Sequence, residues 1–246
     1  MKIIPLSEGS FTIDKTKVFI PFDKDKDKLQ ERPAGSLLVE IQPFVVITKE
    51  DIIILDTGLG FLKDGVLQIH KSLLNNNIKP ENVTRVLLSH LHKDHAGGIS
   101  KGETKTDCLL SFPNALYYIN KKEFEYASEK GMPSYQLPDF NILRTSSQLI
   151  MMEENAGYIN DKIYFETAGG HTPYLTVFWI REDEDVIFFG GDVASQLQQM
   201  KNRFIAKYDF DGKKSMELRS QWWEESMKDR WTFLFYHDIK TPELRR

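Results

Sequence analysis

The chain has 246 residues, with 32 basic and 36 acidic side chains giving a formal charge of −4. Its single cysteine, Cys108, excludes an internal disulfide and suits a reducing compartment. This slight acidity offers no long-range attraction for nucleic-acid phosphates, although it leaves room for a local basic patch. No segment has the roughly 18 uninterrupted apolar residues of a membrane span, and "MKIIPLSEGSFTIDKTKVFIP" lacks a signal-like apolar run. Neither nucleic acid nor membrane is therefore expected as a partner, and the expected location is cytoplasmic.

The first third reads as β-structure: "KVFIPF", "SLLVEIQPFVVIT" and "DIIILDTG" are rich in β-branched and aromatic residues, with turn signals between them. Asp23 to Gly35 is a solvated charged loop. The period then changes: Val66, Ile69, Leu73 and Leu74 share a helical face, closed by Asn77 and Pro80, with His70 exposed on the same helix. Strands "VTRVLLS" and "ALYYIN", a helix "KKEFEYASEKG", and an irregular stretch from Met132 to Leu149 that could lie over a site follow. "KIYFETAGGH", "LTVFWIRED" and "DVIFFGGD" read as further strands, followed by an amphipathic helix from Ser215 to Lys228 and a last strand "WTFLFYHD". With no linker or short repeat, one two-layered domain over 1–246 is expected. "IIILDTG" and "VIFFGGD" echo one another, as if two related halves each carried an acid at a strand end.

The chemistry concentrates in "VLLSHLHKDHAGG", where His90, His92, Asp94 and His95 fall within six residues. Extended backbone turns His90 and His92 the same way. Close-set His and Asp is the donor set that a cation such as zinc requires. Four ligands cannot complete two metal sites. His171 in "TAGGHTP", Asp192 in "FFGGDV" and His237 in "FLFYHD" stand at strand ends and could supply the rest.

Together, "DTG", "HLHKDH", "GGHTP", "GGD" and "YHD" resemble the metallo-β-lactamase-fold hydrolases over roughly Leu37 to Asp238. The resemblance implies an α+β fold, an αββα sandwich with two sheets face to face and metals at one rim. It implies two divalent ions, Zn2+ foremost with Mn2+ or Fe2+ as alternatives. His90, His92 and His171 would hold one, Asp94, His95 and His237 the other, and Asp192 would bridge them. A water between two such cations loses a proton near neutral pH and becomes the nucleophile. Asp94 could also carry a proton. Asp56 would orient ligands by hydrogen bonds, or would be an ordinary turn aspartate before Gly58.

Aspartate at 192 points to the dinuclear hydrolases, and "SFPNALYYINKKEFEYA" with the final "HD" is similar to the lactonase-type branch, which includes acyl-homoserine lactone hydrolases. A small-molecule ester or lactone is the expected substrate, with a phosphodiesterase, ribonuclease or glyoxalase II-like thioesterase as the alternative. The tyrosine that such lactonases carry after the bridging aspartate is replaced here by "DVASQ", with Ser195. Tyr174 is the first candidate to stand in for it and Tyr208 the second, though packing also accounts for each. A monomer or a homodimer is expected.

Overall fold

In the computed structural model, which describes residues 1–101 and 109–246, the apolar runs form two six-stranded sheets. Cys108 lies outside the described residues. The first sheet contains Lys2–Pro5 (β1), Phe44–Ile47 (β2), Ile52–Leu55 (β3), Arg85–Leu87 (β4), Leu116–Asn120 (β5) and Leu149–Met152 (β6), side by side in that order. β1 to β3 pair antiparallel and β3 to β6 parallel. The second contains Ala156–Tyr158 (β7), Ile163–Thr167 (β8), Thr176–Glu182 (β9), Asp185–Phe189 (β10), Thr232–Leu234 (β11) and Glu243–Arg245 (β12). Only its β10–β11 pair is parallel.

Alternation with period two decides what each side chain covers. Val46, Ile53 and Leu55 face the second sheet and pack with its Phe178, Ile180, Ile187 and Phe189. Their neighbours Val45 and Ile54 face outward, under Ile69 and Leu73 of helix Gln68–Asn75 and Phe124 and Ala127 of helix Lys121–Lys130. On the opposite side Val177, Trp179, Val186 and Phe188 pack against Trp222 of helix Gly212–Asp229. Each such side chain contributes roughly 1.5–3 kcal/mol by leaving water. The layers are helix, sheet, sheet, helix: the αββα sandwich.

Several local readings change. The run "SLLVEIQPFVVIT" breaks at Pro43, which has no N–H for a ladder. Leu37–Ile41 leaves the main sheets and joins Gly9–Ile13 and Ile20–Pro21 in a small three-stranded one. The helix begins only at Gln68, because Leu62–Lys63 and Val66–Leu67 pair as a short hairpin before it. Val66 and Leu74 are therefore exposed, and the buried face is Ile69, His70 and Leu73. His70 is thus not a surface residue: it is 7% exposed with its ring edge-on to Phe112. It belongs to no group of metal-ligating side chains among the described residues. No described helix is long and apolar enough to cross a membrane.

Candidate metal centre

β4 is short and ends in the buried apolar residues Val86 and Leu87, and the chain leaves it through Ser89 and His90 into a single helical turn, Lys93–Ala96. Two glycines let this loop lie against the loop that follows β3. A Cβ on Gly98 would lie 2.1 Å from the Thr57 carbonyl oxygen, and one on Gly97 would lie 2.3 Å from that of Leu59. The Thr57 N–H donates to the His95 carbonyl at 2.7 Å. Asp56 is fully buried with φ of 54°, a left-handed conformation that aspartate tolerates better than most residues. Its carboxylate accepts the Ser89 N–H at 2.7 Å and the Ser89 hydroxyl at 2.6 Å, and lies 2.7 Å from His95 Nδ1.

The second sheet delivers the other groups to the same rim. His171 follows β8 through Gly169 and Gly170, both at positive φ, and Asp192 sits in the 3-10 turn Gly191–Ala194 after β10. β11 ends at Leu234, so His237 stands in a turn beyond the strand rather than at its end.

Nδ1 of His92 lies 3.0 Å from His90 Nε2 and 3.1 Å from His171 Nε2. Asp94, His95 and His237 make a second group of ligand atoms within reach of one ion. Asp192 stands between the groups. Its Oδ1 is 3.2 Å from His95 Nε2 and 3.0 Å from His237 Nε2, while its Oδ2 is 3.3 Å from His171 Nε2. Asp56, His90 and His95 also cluster, but the Asp56 oxygens are engaged by Ser89 and His95 Nδ1.

The outer ring nitrogens decide what the inner ones can do. His95 Nδ1 faces Asp56, His171 Nδ1 faces Asp209 at 2.8 Å, and His237 Nδ1 faces the Glu40 carbonyl at 2.7 Å. Carboxylates and carbonyls only accept, so each of these nitrogens carries the proton. His90 Nδ1 lies 3.0 Å from the Ser89 hydroxyl, whose own hydrogen goes to Asp56, so it too donates. Four Nε2 lone pairs are thereby aimed inward at one another and at Asp192. His95 Nε2 and Asp192 Oδ1 are buried without a hydrogen-bond partner. Five imidazoles and the Asp192 carboxylate converging on one buried point, two of their inward atoms without a hydrogen-bond partner, are the nitrogen and oxygen donor set that a divalent cation takes up. The residues fit a metal.

Charge is divided within the cluster. Burial, reinforced by neighbouring imidazoles, holds His90 and His92 well below the usual histidine range, which is the neutral state that binding a metal would require. Burial acts the same way on His95 and His237, but at His95 the Asp192, Asp94 and Asp56 carboxylates outweigh it, and at His237 Asp192 and Asp94 do, so both are raised. Burial would raise Asp192, yet His237, His95 and His171 hold it well below its usual range.

The cluster opens into a cavity of about 1300 Å3 that His92, Asp94, His171, Asp192 and His237 help to line. Of the irregular stretch, Met132 to Tyr135 line it as well. Tyr208 faces the cavity with its ring 5.9 Å from that of His171. Tyr174 is not among the lining residues, and its ring packs edge-on to Tyr126. Ser195 is buried, with its N–H and hydroxyl both donating to the Gln199 side-chain oxygen. Sequence reasoning passed over Asp209, Ser89 and Glu123. The buried Glu123 carboxylate accepts from Thr172, next to His171, and from the Leu91 N–H.

The chain belongs to the metallo-beta-lactamase superfamily, whose family model matches residues 39–222. Among solved structures it resembles a probable metal-dependent hydrolase from Staphylococcus aureus at 20% identity and a TM-score of 0.80, covering 99% of this chain and 91% of that one. AidC, a dizinc quorum-quenching lactonase in complex with a product, matches at 20% identity and 0.74, over 98% of this chain and 88% of that one. An N-acyl homoserine lactone hydrolase with N-hexanoyl-L-homoserine at its catalytic metal centre matches at 18% and 0.69, over 97% and 94%. These likenesses show the fold. No curated protein matches the chain.

Proposed function

We propose that the protein is a dinuclear metal-dependent hydrolase that opens a lactone or cleaves a related ester. The observation that carries this reading is Asp192, which turns one oxygen to His95 and His237 and the other to His171. His90, His92 and His171 would hold one divalent ion and Asp94, His95 and His237 the other, with Asp192 shared. Zinc suits this nitrogen and oxygen set, and Mn2+ or Fe2+ are alternatives. Such ions lower the pKa of water and polarise a substrate carbonyl oxygen. Asp56 acts as a positioning residue, holding His95 directly and His90 through Ser89. Asp94 lines the cavity and is placed to move a proton between the attacking water and the leaving oxygen. The Tyr208 hydroxyl is the better placed of the two tyrosines to donate to a substrate carbonyl. The lactonases among the similar structures support a lactone as substrate.

The test combines metal analysis of protein purified without added metal and a panel of lactones, esters, thioesters and phosphodiesters. About two equivalents of metal per chain, with lactone or ester turnover lost in His92→Ala, is the expected result. Protein that carries no metal, or turnover confined to phosphodiesters, would overturn the reading.

A further inference from the structure

Although the chain is acidic overall, the cavity above the ligand cluster is lined by Lys15, Lys17, Arg32, Lys93, Lys130 and Lys207. These six cations come from five separate segments of chain. Of the acids lining the same cavity, Asp94, Asp192 and Asp209 belong to the ligand cluster or hold His171, which leaves Asp14 alone opposite the cations. None of the six forms an ion pair with a described carboxylate. Lys93 and Lys130 are held against the aromatic wall, with Nζ 5.7 Å from the ring centroid of Phe19 and 5.3 Å from that of Tyr126. After burial and the neighbouring imidazoles, the charge of Lys17 is among those holding His92 below the usual histidine range.

A concave wall of one sign focuses its field and concentrates ligands of the other sign. The cavity, at about 1300 Å3, is also larger than the roughly 300–1,000 Å3 of most small-molecule sites. It has room for a group well beyond a reacting carbonyl. We propose that the substrate is anionic: an ester, thioester or lactone whose non-reacting part carries carboxylate or phosphate groups that bind this ring of cations. The proposal rests on the hydrolase reading above and narrows it, since a neutral acyl lactone would leave the ring without a partner. The reaction needs only water. The acyl C–O or C–S bond breaks, the hydroxyl of water joins the acyl carbon, and its proton goes to the leaving oxygen or sulfur.

The test is direct binding, so that it does not depend on turnover. The protein as purified is titrated calorimetrically with hexyl phosphate, adipate and uncharged hexanol. At least one anion should bind about tenfold or more tightly than hexanol, and about 0.5 M salt should weaken it. Which anion binds distinguishes phosphate from carboxylate as the recognised group. In Arg32→Glu/Lys207→Glu that affinity should fall at least tenfold, and Lys130→Glu alone should lower it about threefold. Lys213→Glu, on the outer helix and paired with Glu217, should not change it. Binding of neither anion, or binding that survives reversal of Arg32, Lys207 and Lys130, overturns the proposal even if esters are hydrolysed. Anion binding without hydrolysis of any ester, thioester or lactone leaves the anion site standing and overturns the hydrolase reading instead.

Discussion

Asp209 Oδ1 lies 2.8 Å from Nδ1 of His171 and faces the side of the ring turned away from the ligand cluster. Two backbone bonds clamp the loops that bring them together: Phe210 N–H to the His171 carbonyl at 3.1 Å, and Asp211 N–H to that of Gly170 at 2.7 Å. The carboxylate fixes the tautomer that leaves the His171 Nε2 lone pair free. Asp209→Ala should lower metal affinity roughly 10–100-fold with the fold intact. Competition against a chromophoric chelator measures this, and an unchanged affinity would remove the assigned role.

Asp56 has a larger burden, because it is fully buried and serves both His95 and Ser89. In Asp56→Asn an amide donor would replace one acceptor and oppose either the Ser89 N–H or both the Ser89 hydroxyl and the His95 Nδ1 proton. Breaking a buried pair of this kind costs about 3–5 kcal/mol. The variant should unfold at lower denaturant and hold metal less tightly. Equal midpoints for wild type and Asp56→Asn would show that Asp56 is a bystander.

Gly98→Ala tests the contact between the two loops without changing any of the metal-ligating side chains. The new methyl would start 2.1 Å from the Thr57 carbonyl oxygen, so backbone must move. Overpacking of this kind costs about 1–3 kcal/mol. The expected outcome is a lower melting temperature together with weakened metal retention, because Thr57 is bonded to the His95 carbonyl.

Glu8 gives the protein a pH dependence away from the ligands. Burial pushes its carboxyl up from 4.5 to about 7, although the backbone N–H groups of Leu59, Gly60 and Phe61 oppose this. The folded state therefore keeps a proton that the unfolded chain has lost. This contribution to stability is complete below about pH 4.5, declines as pH rises to about 7, and is absent above. Its size is on the order of 3 kcal/mol. Urea unfolding across that window should show the decline in wild type and a flatter profile in Glu8→Gln. Identical profiles would exclude Glu8 as the source.

The residues gathered in the cluster were legible in the sequence because their chemistry is local: four stand within six residues, and the others follow apolar strands and glycines. The acceptors behind them were not legible. Asp209 is an ordinary loop acid until the 209–211 backbone docks beside Gly170, and Glu40 contributes only its carbonyl. The strands could be read from their apolar runs and the αββα layering followed from the family resemblance of the motifs, but the face of helix Gln68–Asn75 could not be read. Its register depends on where the preceding hairpin lets it begin, and that placed Val66 outside and His70 inside. Tyr174 and Tyr208 were indistinguishable as letters, and only the course of the chain brings Tyr208 to the cavity.

The ligand atoms have one further consequence. His90, His92, Asp94 and His95 hang from the end of β4 in the first sheet, while His171, Asp192 and His237 hang from β8, β10 and β11 in the second. Metal held among them would be a rivet through the whole sandwich. The two sheets could not part without tearing out coordinate bonds, so the lifetime of the native state would be governed by how fast the rivet is lost. The chemistry of the rim and the durability of the fold would then be one property.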